Sequence, residues 1–335
     1  MKVILVTGGL GYIGSHTVVE LQKASYKVII IDNLLNSTID VLDNITAITG
    51  VRPEYHNIDL RIKQDVQNFF KKHQIDGVIH FAASKAVGES VENPLLYYEN
   101  NVGTLVYLLQ EMKTHGLSNF IFSSSCTVYG QADELPITEN AAIKPAESPY
   151  GNTKQIGEKI IKESCNTDNL KAIALRYFNP IGAHETAKIG ELPIGTPQNL
   201  IPFITQTAAG IREQLSVFGN DYPTKDGTAM RDYIHVVDLA KAHIVALERL
   251  LENNNKSNFE IFNIGTGNGS TVLEVIKAFE KVSRKSLNYK IVGRREGDVS
   301  AAYADTTLAN KVLGWKTEKS LEEALLDSWR WQLKQ

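Results

Sequence analysis

Short β-branched apolar runs alternate with amphipathic stretches through the first half of this chain. Residues 2–7 (KVILVT), 27–32 (KVIIID), 54–58, 77–82 (GVIHFA), 119–124 (NFIFSS) and 171–176 (KAIALR) read as strands. Residues 11–24, 39–49, 63–73, 95–115 and 150–165 carry helical periodicity; in the first of these Ile13, Thr17, Val18 and Leu21 share one face. Strands that are apolar on both faces need cover on both faces. Alternation with helices supplies it, so the pattern predicts βαβ units, a parallel sheet and right-handed crossovers. After about residue 178 the rhythm changes. Gly, Pro and Asn cluster in NPIGAH, GTPQNL and GNDYPTKDG, which suits a smaller, loop-rich, ligand-gripping part.

Composition narrows the function classes. Lys and Arg total 35 against 38 Asp and Glu, so the formal charge is 35 − 38 = −3. That leaves no basic excess to neutralise a phosphate backbone, and nucleic acid is not expected as a partner. A 43% hydrophobic, 22% charged chain excludes intrinsic disorder. No apolar run approaches the ~18 residues of a membrane span, and the first run is too short for a signal-peptide core. Cys126 and Cys165 form no C-x-x-C pair, which fits a reducing cytoplasm. The eight histidines lack H-x-x-x-H spacing, so no metal site is expected.

Between the first strand and first helix stands Thr7-Gly8-Gly9-Leu10-Gly11-Tyr12-Ile13-Gly14. Gly8, Gly11 and Gly14 permit a tight turn and let backbone approach a pyrophosphate, which the helix N-terminus then attracts. Asp32 ends the second strand, where a carboxylate bonds an adenosine ribose 2′-OH and repels a 2′-phosphate. No arginine lies between Asp32 and Arg52. The expected cofactor is therefore NAD rather than NADP.

Tyr150 and Lys154 stand four apart at the start of a helix marked by Ser148-Pro149, and so share a face. A free phenol, with a pKa of about 10, is a poor base at neutral pH; a nearby ammonium and a nicotinamide cation favour the phenolate. Ser123, Ser124 and Ser125 end a strand at the sheet's ligand-binding edge. One of their hydroxyls can hydrogen-bond the substrate oxygen that Tyr150 deprotonates, and at least one is expected only to cap the strand end.

These features together resemble the extended short-chain dehydrogenase/reductase superfamily, and within it the UDP-glucose 4-epimerase family. TGGLGYIGSHT, DNL, HFAASKAVGES, FSSSCTVYG, SPYGNTK, RYFNPIGAH, FGNDYPTKDGTAMRDYIHV and RREGD follow that family's order over essentially the whole chain. The resemblance implies a Rossmann-type doubly wound parallel sheet with a smaller α/β substrate-binding C-terminal domain. Residues 1–178 would hold NAD, with 236–263 packing back onto them, and 179–335 would mainly hold a UDP-hexose. It implies that Tyr150 takes the O4 proton while C4 passes hydride to NAD. The 4-keto sugar then turns and takes hydride back on its other face, which interconverts UDP-glucose and UDP-galactose.

Ser125 matches the family's catalytic serine, and Lys154 its ribose-binding, Tyr-tuning lysine. Tyr12, Ile13, Asn33, Asp59, Leu60, Phe81, Ala82, Lys85, Asn100 and Tyr177 match cofactor positions. Asn179, Asn199, Leu200, Arg231, Tyr233, Arg295 and Asp298 match positions that hold UDP. Ala302 falls where a bulky tyrosine walls the sugar pocket in members restricted to glucose and galactose, so N-acetylated UDP-sugars are also expected to fit. A homodimer formed through the helices near 95–115 and 150–165 is implied too.

His16, His80, Trp329 and Trp331 read as structural. A nucleotide-sugar 4,6-dehydratase would place acidic residues directly after the strand-end serine, where this chain has Cys126-Thr127. A non-catalytic NAD-sensing module would be expected to lose Tyr150 or Lys154, and both are present.

Overall fold

A computed structural model describes residues 1–295 and 298–335; Glu296 and Gly297, inside the RREGD block, lie outside the described residues. The apolar runs become β1 (Val3–Thr7), β2 (Lys27–Ile31), β3 (Glu54–His56), β4 (Gly77–His80), β5 (Asn119–Ser125) and β6 (Lys171–Tyr177). Between them lie α1 (Tyr12–Lys23), α2 (Asp40–Thr49), α3 (Lys63–Phe70), α4 (Val87–Glu92), α5 (Pro94–Tyr97), α6 (Thr104–Thr114) and α7 (Pro149–Thr167). The remainder adds β7 (Asn179–Ile181), α8 (Leu200–Ala208), β8 (Leu215–Phe218), β9 (Met230–Arg231), β10 (Tyr233–His235), α9 (Val236–Leu251) and β11 (Phe259–Ile264). Last come β12 (Ser270–Thr271), α10 (Val272–Ser283), β13 (Tyr289–Val292), β14 (Ala301–Ala302), α11 (Thr307–Leu313) and α12 (Leu321–Gln332).

One seven-stranded parallel sheet has the order β11-β6-β5-β4-β1-β2-β3. Side chains alternate across it, which explains the continuous apolar runs. Ile4, Val6, Ile30, Ile79, Ile121 and Ile173 pack on one face with α1, α2 and α9. Leu5, Ile29, Ile31, Val78, Phe120 and Phe122 pack on the other with α3, α6 and α7. The chain leaves β1 outward to β3, then returns to start β4 on β1's other side. That reversal opens a crevice at the carboxyl ends of β1 and β4, the usual ligand position in such sheets.

A separate core joins Ile181, Ile204, Leu215, Val217, Val275, Phe279, Leu325 and Trp329, with short strand pairs β7–β10, β8–β13 and β12–β9–β14 around it. Trp329 meets Phe279 edge-on, and the Trp331 indole N–H donates to the Glu191 carbonyl. The helix expected over 95–115 is not uniform. Tyr98–Gly103 winds as a π-helix between α5 and α6, and the region 87–92, unassigned from sequence, is helical. The wider turn carries Asn100 and Asn101 to the loop after β4. Asn101 is buried there and bonds both backbone groups of Ser84 and the Thr153 hydroxyl.

Candidate active site

The glycine loop leads from β1 into α1 and passes beside the end of β4. Gly8 has φ +69°, and a Cβ there would sit 2.8 Å from Ala82 N, so only glycine lets the β1 and β4 ends meet this closely. A Cβ on Gly14 would lie 2.2 Å from the Gly8 carbonyl. Gly11, by contrast, meets only that same carbonyl, at 3.3 Å, and gives α1 no side-chain cap. The first-turn donors of a twelve-residue helix are thus left to an external acceptor. This cradle fits a dinucleotide pyrophosphate.

Asp32 stands at the end of β2, and its carboxylate accepts from Leu10 N, Leu34 N and Ser37 Oγ. It therefore also shapes the loop, a role the sequence leaves as the alternative. Asn33 Nδ2 donates to Asp59, which Arg61 grips through Nε and Nη2 and holds down to about 2. Leu60 is buried beside it. Phe81 follows β4, with its ring 4.8 Å from that of His243. Asn100 Nδ2 donates to Ser84 Oγ.

Beside the crevice the three serines separate by strand alternation. Ser124 points away and donates to Glu158, which also takes a bidentate pair from Arg176 (2.9 and 2.6 Å). Ser123 lends its carbonyl to Lys154 Nζ at 2.6 Å. Ser125 ends β5, caps the turn at Thr127 N and stands near enough to Tyr150 to oppose the rise of its phenol. Tyr150 and Lys154 sit on the first turns of α7, where Ser148 caps Gly151 N and Pro149 starts the helix. Tyr177 reaches His243 Nε2 at 3.1 Å.

Burial acts on both members of the pair. It pushes the Tyr150 phenol up to about 12, against the opposing effect of Ser125. Burial also pushes Lys154 down to about 8, opposed by the Glu158 carboxylate. The lysine Nζ lies 5.8 Å from the Tyr150 ring centroid and donates one of its three hydrogens to the Ser123 carbonyl. Burial thus disfavours charge on both groups, and the positive nicotinamide of bound NAD would act against it at Tyr150.

Across the crevice Arg231 and Arg295 share one carboxylate. Asp298 takes Arg295 at 2.9 and 3.1 Å and Arg231 at 3.5 Å. Cys126, next to Ser125, lies in the field of Arg231, and burial pushes its thiol up to about 11. Ala302 pairs in register with Arg231 and packs with Val128, Tyr129 and Phe178. The neighbouring Tyr303 ring lies against Gly269 instead. Tyr233 is buried in the C-terminal core, and Asn179 is bound through its N–H to the Asp232 carbonyl.

Asn199 stands at the N-terminal boundary of α8, ahead of Leu200, and its Nδ2 donates to Glu191 rather than its side chain capping the helix. Lys85 pairs with the same Glu191 oxygen at 3.3 Å. Glu191 joins an expected cofactor residue to an expected substrate residue, yet no sequence motif marks it. His80 is buried against Thr7 Oγ1 and held down to about 3 by burial; His16 is likewise buried on the Tyr12 carbonyl.

A tyrosine and a lysine on one helix turn, a strand-end serine and a glycine cradle at the crevice of a doubly wound sheet define the extended short-chain dehydrogenase/reductase class. Comparison with known proteins narrows the class. A family model described as GDP-mannose 4,6 dehydratase matches residues 5–327. The UDP-glucose 4-epimerase of Bacillus subtilis is 50% identical over 330 residues, covering 98% of this chain and 96% of that one. A crystal structure of UDP-glucose-4-epimerase from Stenotrophomonas maltophila, with bound NAD and formylated UDP-arabinopyranose, superposes with TM-score 0.96 at 45% identity, covering 100% and 98% of the two chains. The Bifidobacterium longum enzyme in complex with NAD+ and UDP gives 0.95 at 44%, covering 99% and 98%. The chain belongs to the UDP-glucose 4-epimerase family.

Proposed function

We propose that this chain inverts C4 of a UDP-hexose, interconverting UDP-glucose and UDP-galactose through a 4-keto intermediate with NAD held in the β1–β4 crevice. The observation that carries this is the placement of Tyr150 against Ser125 at the carboxyl end of β5, with the Lys154 ammonium behind and Arg231, Asp298 and Arg295 across the gap. NAD, when bound, would supply the hydride acceptor and donor for C4 and a positive charge that favours the phenolate. Gly8, Gly11, Tyr12, Ile13 and Gly14 hold its pyrophosphate, Asp32 and Asn33 its adenosine ribose, Asp59 and Leu60 its adenine, and Lys154 the second ribose. Phe81, Ala82, Lys85, Asn100 and Tyr177 line it.

Tyr150 Oη takes the O4 proton and later returns it. Ser125 Oγ steadies O4 and relays that proton. Asn179, Asn199, Leu200, Tyr233 and the two arginines anchor UDP, so that only the sugar turns. Arginine suits the diphosphate because its planar fork pairs two oxygens at once. No carboxylate follows Ser125, and the raised Cys126 thiol is a poor acid in that place, which disfavours dehydration. Turnover of UDP-galactose, coupled to a UDP-glucose dehydrogenase, tests the reaction; absence of product sinks it.

Residues 1–178 with 236–263 make up the cofactor domain, and 179–335 mainly the sugar domain; the separate core around Phe279 supports that division. Two copies pair through the helices of residues 94–114 and 149–167. Leu95, 81% exposed on that surface, supports the pairing. The free cysteines fit a cytoplasmic setting, and no described helix is long and apolar enough to cross a membrane.

Loss of the cofactor in mid-reaction would strand the 4-keto sugar, so NAD is expected to stay bound through purification without added nucleotide. Denaturing the protein and assaying the supernatant measures it. Near-zero NAD together with activity dependent on NADP would overturn both this and the role of Asp32.

Ala302 leaves room for a C2 N-acetyl group, because Tyr303 faces Gly269 rather than the pocket. UDP-GlcNAc and UDP-GalNAc are therefore interconverted too. Overpacking costs roughly 1–3 kcal/mol. Ala302→Tyr should accordingly cut kcat/KM on UDP-GlcNAc by about 5- to 150-fold relative to UDP-glucose. An unchanged ratio removes Ala302 as the gate, and no wild-type turnover of UDP-GlcNAc rejects the wider specificity.

A further inference from the structure

On the flank of the sheet opposite β11, β3 and the end of α3 bring together three side chains that the reaction does not use. Glu54 Oε1 lies 2.9 Å from His56 Nε2 and 3.1 Å from His73 Nε2. One ligand-type atom from each residue lies within 4.8 Å of the other two. All three residues are partly buried, and the two imidazoles meet edge-on, 4.8 Å apart. The 17-residue separation of His56 and His73 explains why no chain spacing reveals the group.

Hydrogen-bond accounting shows what the group requires. His73 Nδ1 sits 2.8 Å from the Phe69 carbonyl oxygen. A carbonyl only accepts, so Nδ1 carries the hydrogen, and in the neutral ring Nε2 carries a lone pair. That lone pair is aimed at a carboxylate oxygen, which is also only an acceptor. Two acceptors 3.1 Å apart repel unless the ring takes up a second proton or a metal cation lies between them. The Nδ1–H to carbonyl bond is also the usual outer support of a metal-bound histidine, since it fixes the ring and its tautomer.

We propose that Glu54, His56 and His73 form a divalent transition-metal site of the zinc class, with a fourth position open to water. Two imidazole nitrogens and one carboxylate oxygen are donors that zinc and its borderline neighbours take, whereas calcium and magnesium prefer oxygen alone. Bonds of about 2.0–2.2 Å in a tetrahedron place ligand atoms ~3.3–3.5 Å apart, so the two Glu54–histidine spacings need to open only slightly, and the two histidine nitrogens already lie within 4.8 Å. Lys27 Nζ is 3.3 Å from the other oxygen, Oε2, and stays as its partner when Oε1 turns to the metal. The ion ties the three-residue edge strand β3 to α3. His56 also accepts from Asp32 N through its carbonyl, so the tie supports the strand from which the adenine loop leaves.

The test uses untagged, NAD-loaded, full-length protein treated with chelator. Zn2+ is titrated by calorimetry and Co2+ by visible absorption. One equivalent per chain is expected, with an intense four-coordinate ligand-field band for Co2+. His56→Gln and His73→Gln should each weaken binding by at least about tenfold, and the double variant should abolish it, while epimerase turnover reports that the variants fold. His115→Gln, outside the group, should bind as the wild type does. Anomalous scattering from wild-type crystals given one equivalent of Zn2+ needs no variant; a peak among the three side chains is expected. Absence of saturable binding, binding that survives in the double variant, or a peak elsewhere overturns the proposal.

Discussion

Tyr150→Phe is expected to lower kcat by about 10²- to 10⁴-fold, the usual range for a general acid–base group. The phenol is the acid–base group that stands beside Ser125 at the mouth of the crevice, where it is half-buried. Phenylalanine keeps the ring and its packing and removes only Oη. UDP affinity should stay near that of the wild type, because Arg231, Arg295 and Asp298 are untouched. Steady-state turnover with calorimetric UDP binding separates the two effects. Ser125→Ala should cost less if Tyr150 alone takes the proton, and a similar amount if Ser125 relays it. A Tyr150→Phe enzyme that turns over at nearly the wild-type rate would remove this residue from the mechanism.

Glu158→Ala should destabilise the protein by about 3–5 kcal/mol, the cost of removing one partner from a buried ion pair. Arg176, 3% exposed, would keep its charge with no carboxylate beside it, and Ser124 would lose its acceptor. The consequence also reaches the site. Glu158 is the group that holds the Lys154 ammonium up against burial, so its loss lowers that lysine further below about 8. The lysine would then shed its proton at a lower pH, and the pH profile of kcat should move with it. Glu158→Gln keeps the volume and should show the same direction of pH shift with a smaller loss of stability. Chemical denaturation and pH–rate profiles measure these two effects. A fully stable Glu158→Ala protein with an unmoved profile would contradict both parts.

The strands were legible because burial on two faces leaves an unmistakable mark: Ile4, Leu5 and Val6 in succession cannot all be covered except by helices on both sides. The glycine loop was legible because its constraint is local. Gly8 and Gly14 are fixed by clashes a few residues away or just across the crevice. The π turn at Tyr98–Gly103 was not legible, since an apolar period drawn for an α-helix hides one extra residue wound into it. The identity of the working serine was also out of reach from the residues alone. Ser123, Ser124 and Ser125 are chemically identical, and only their alternation against Glu158 and Tyr150 separates them.

The sequence by itself determined the fold class, the phosphate cradle and the Tyr150–Lys154 pair, because each depends on spacing along one strand, loop or helix. Tertiary structure alone decided the charge balance around that pair. Burial is a property of the assembled pocket, and it raises the Tyr150 phenol and lowers the Lys154 ammonium, which no spacing records. It also decided which distant residues meet: Glu191 between Lys85 and Asn199, and Glu54 between His56 and His73. Pairs like these are separated along the chain by loops and helices whose lengths carry no record of where their ends will pack.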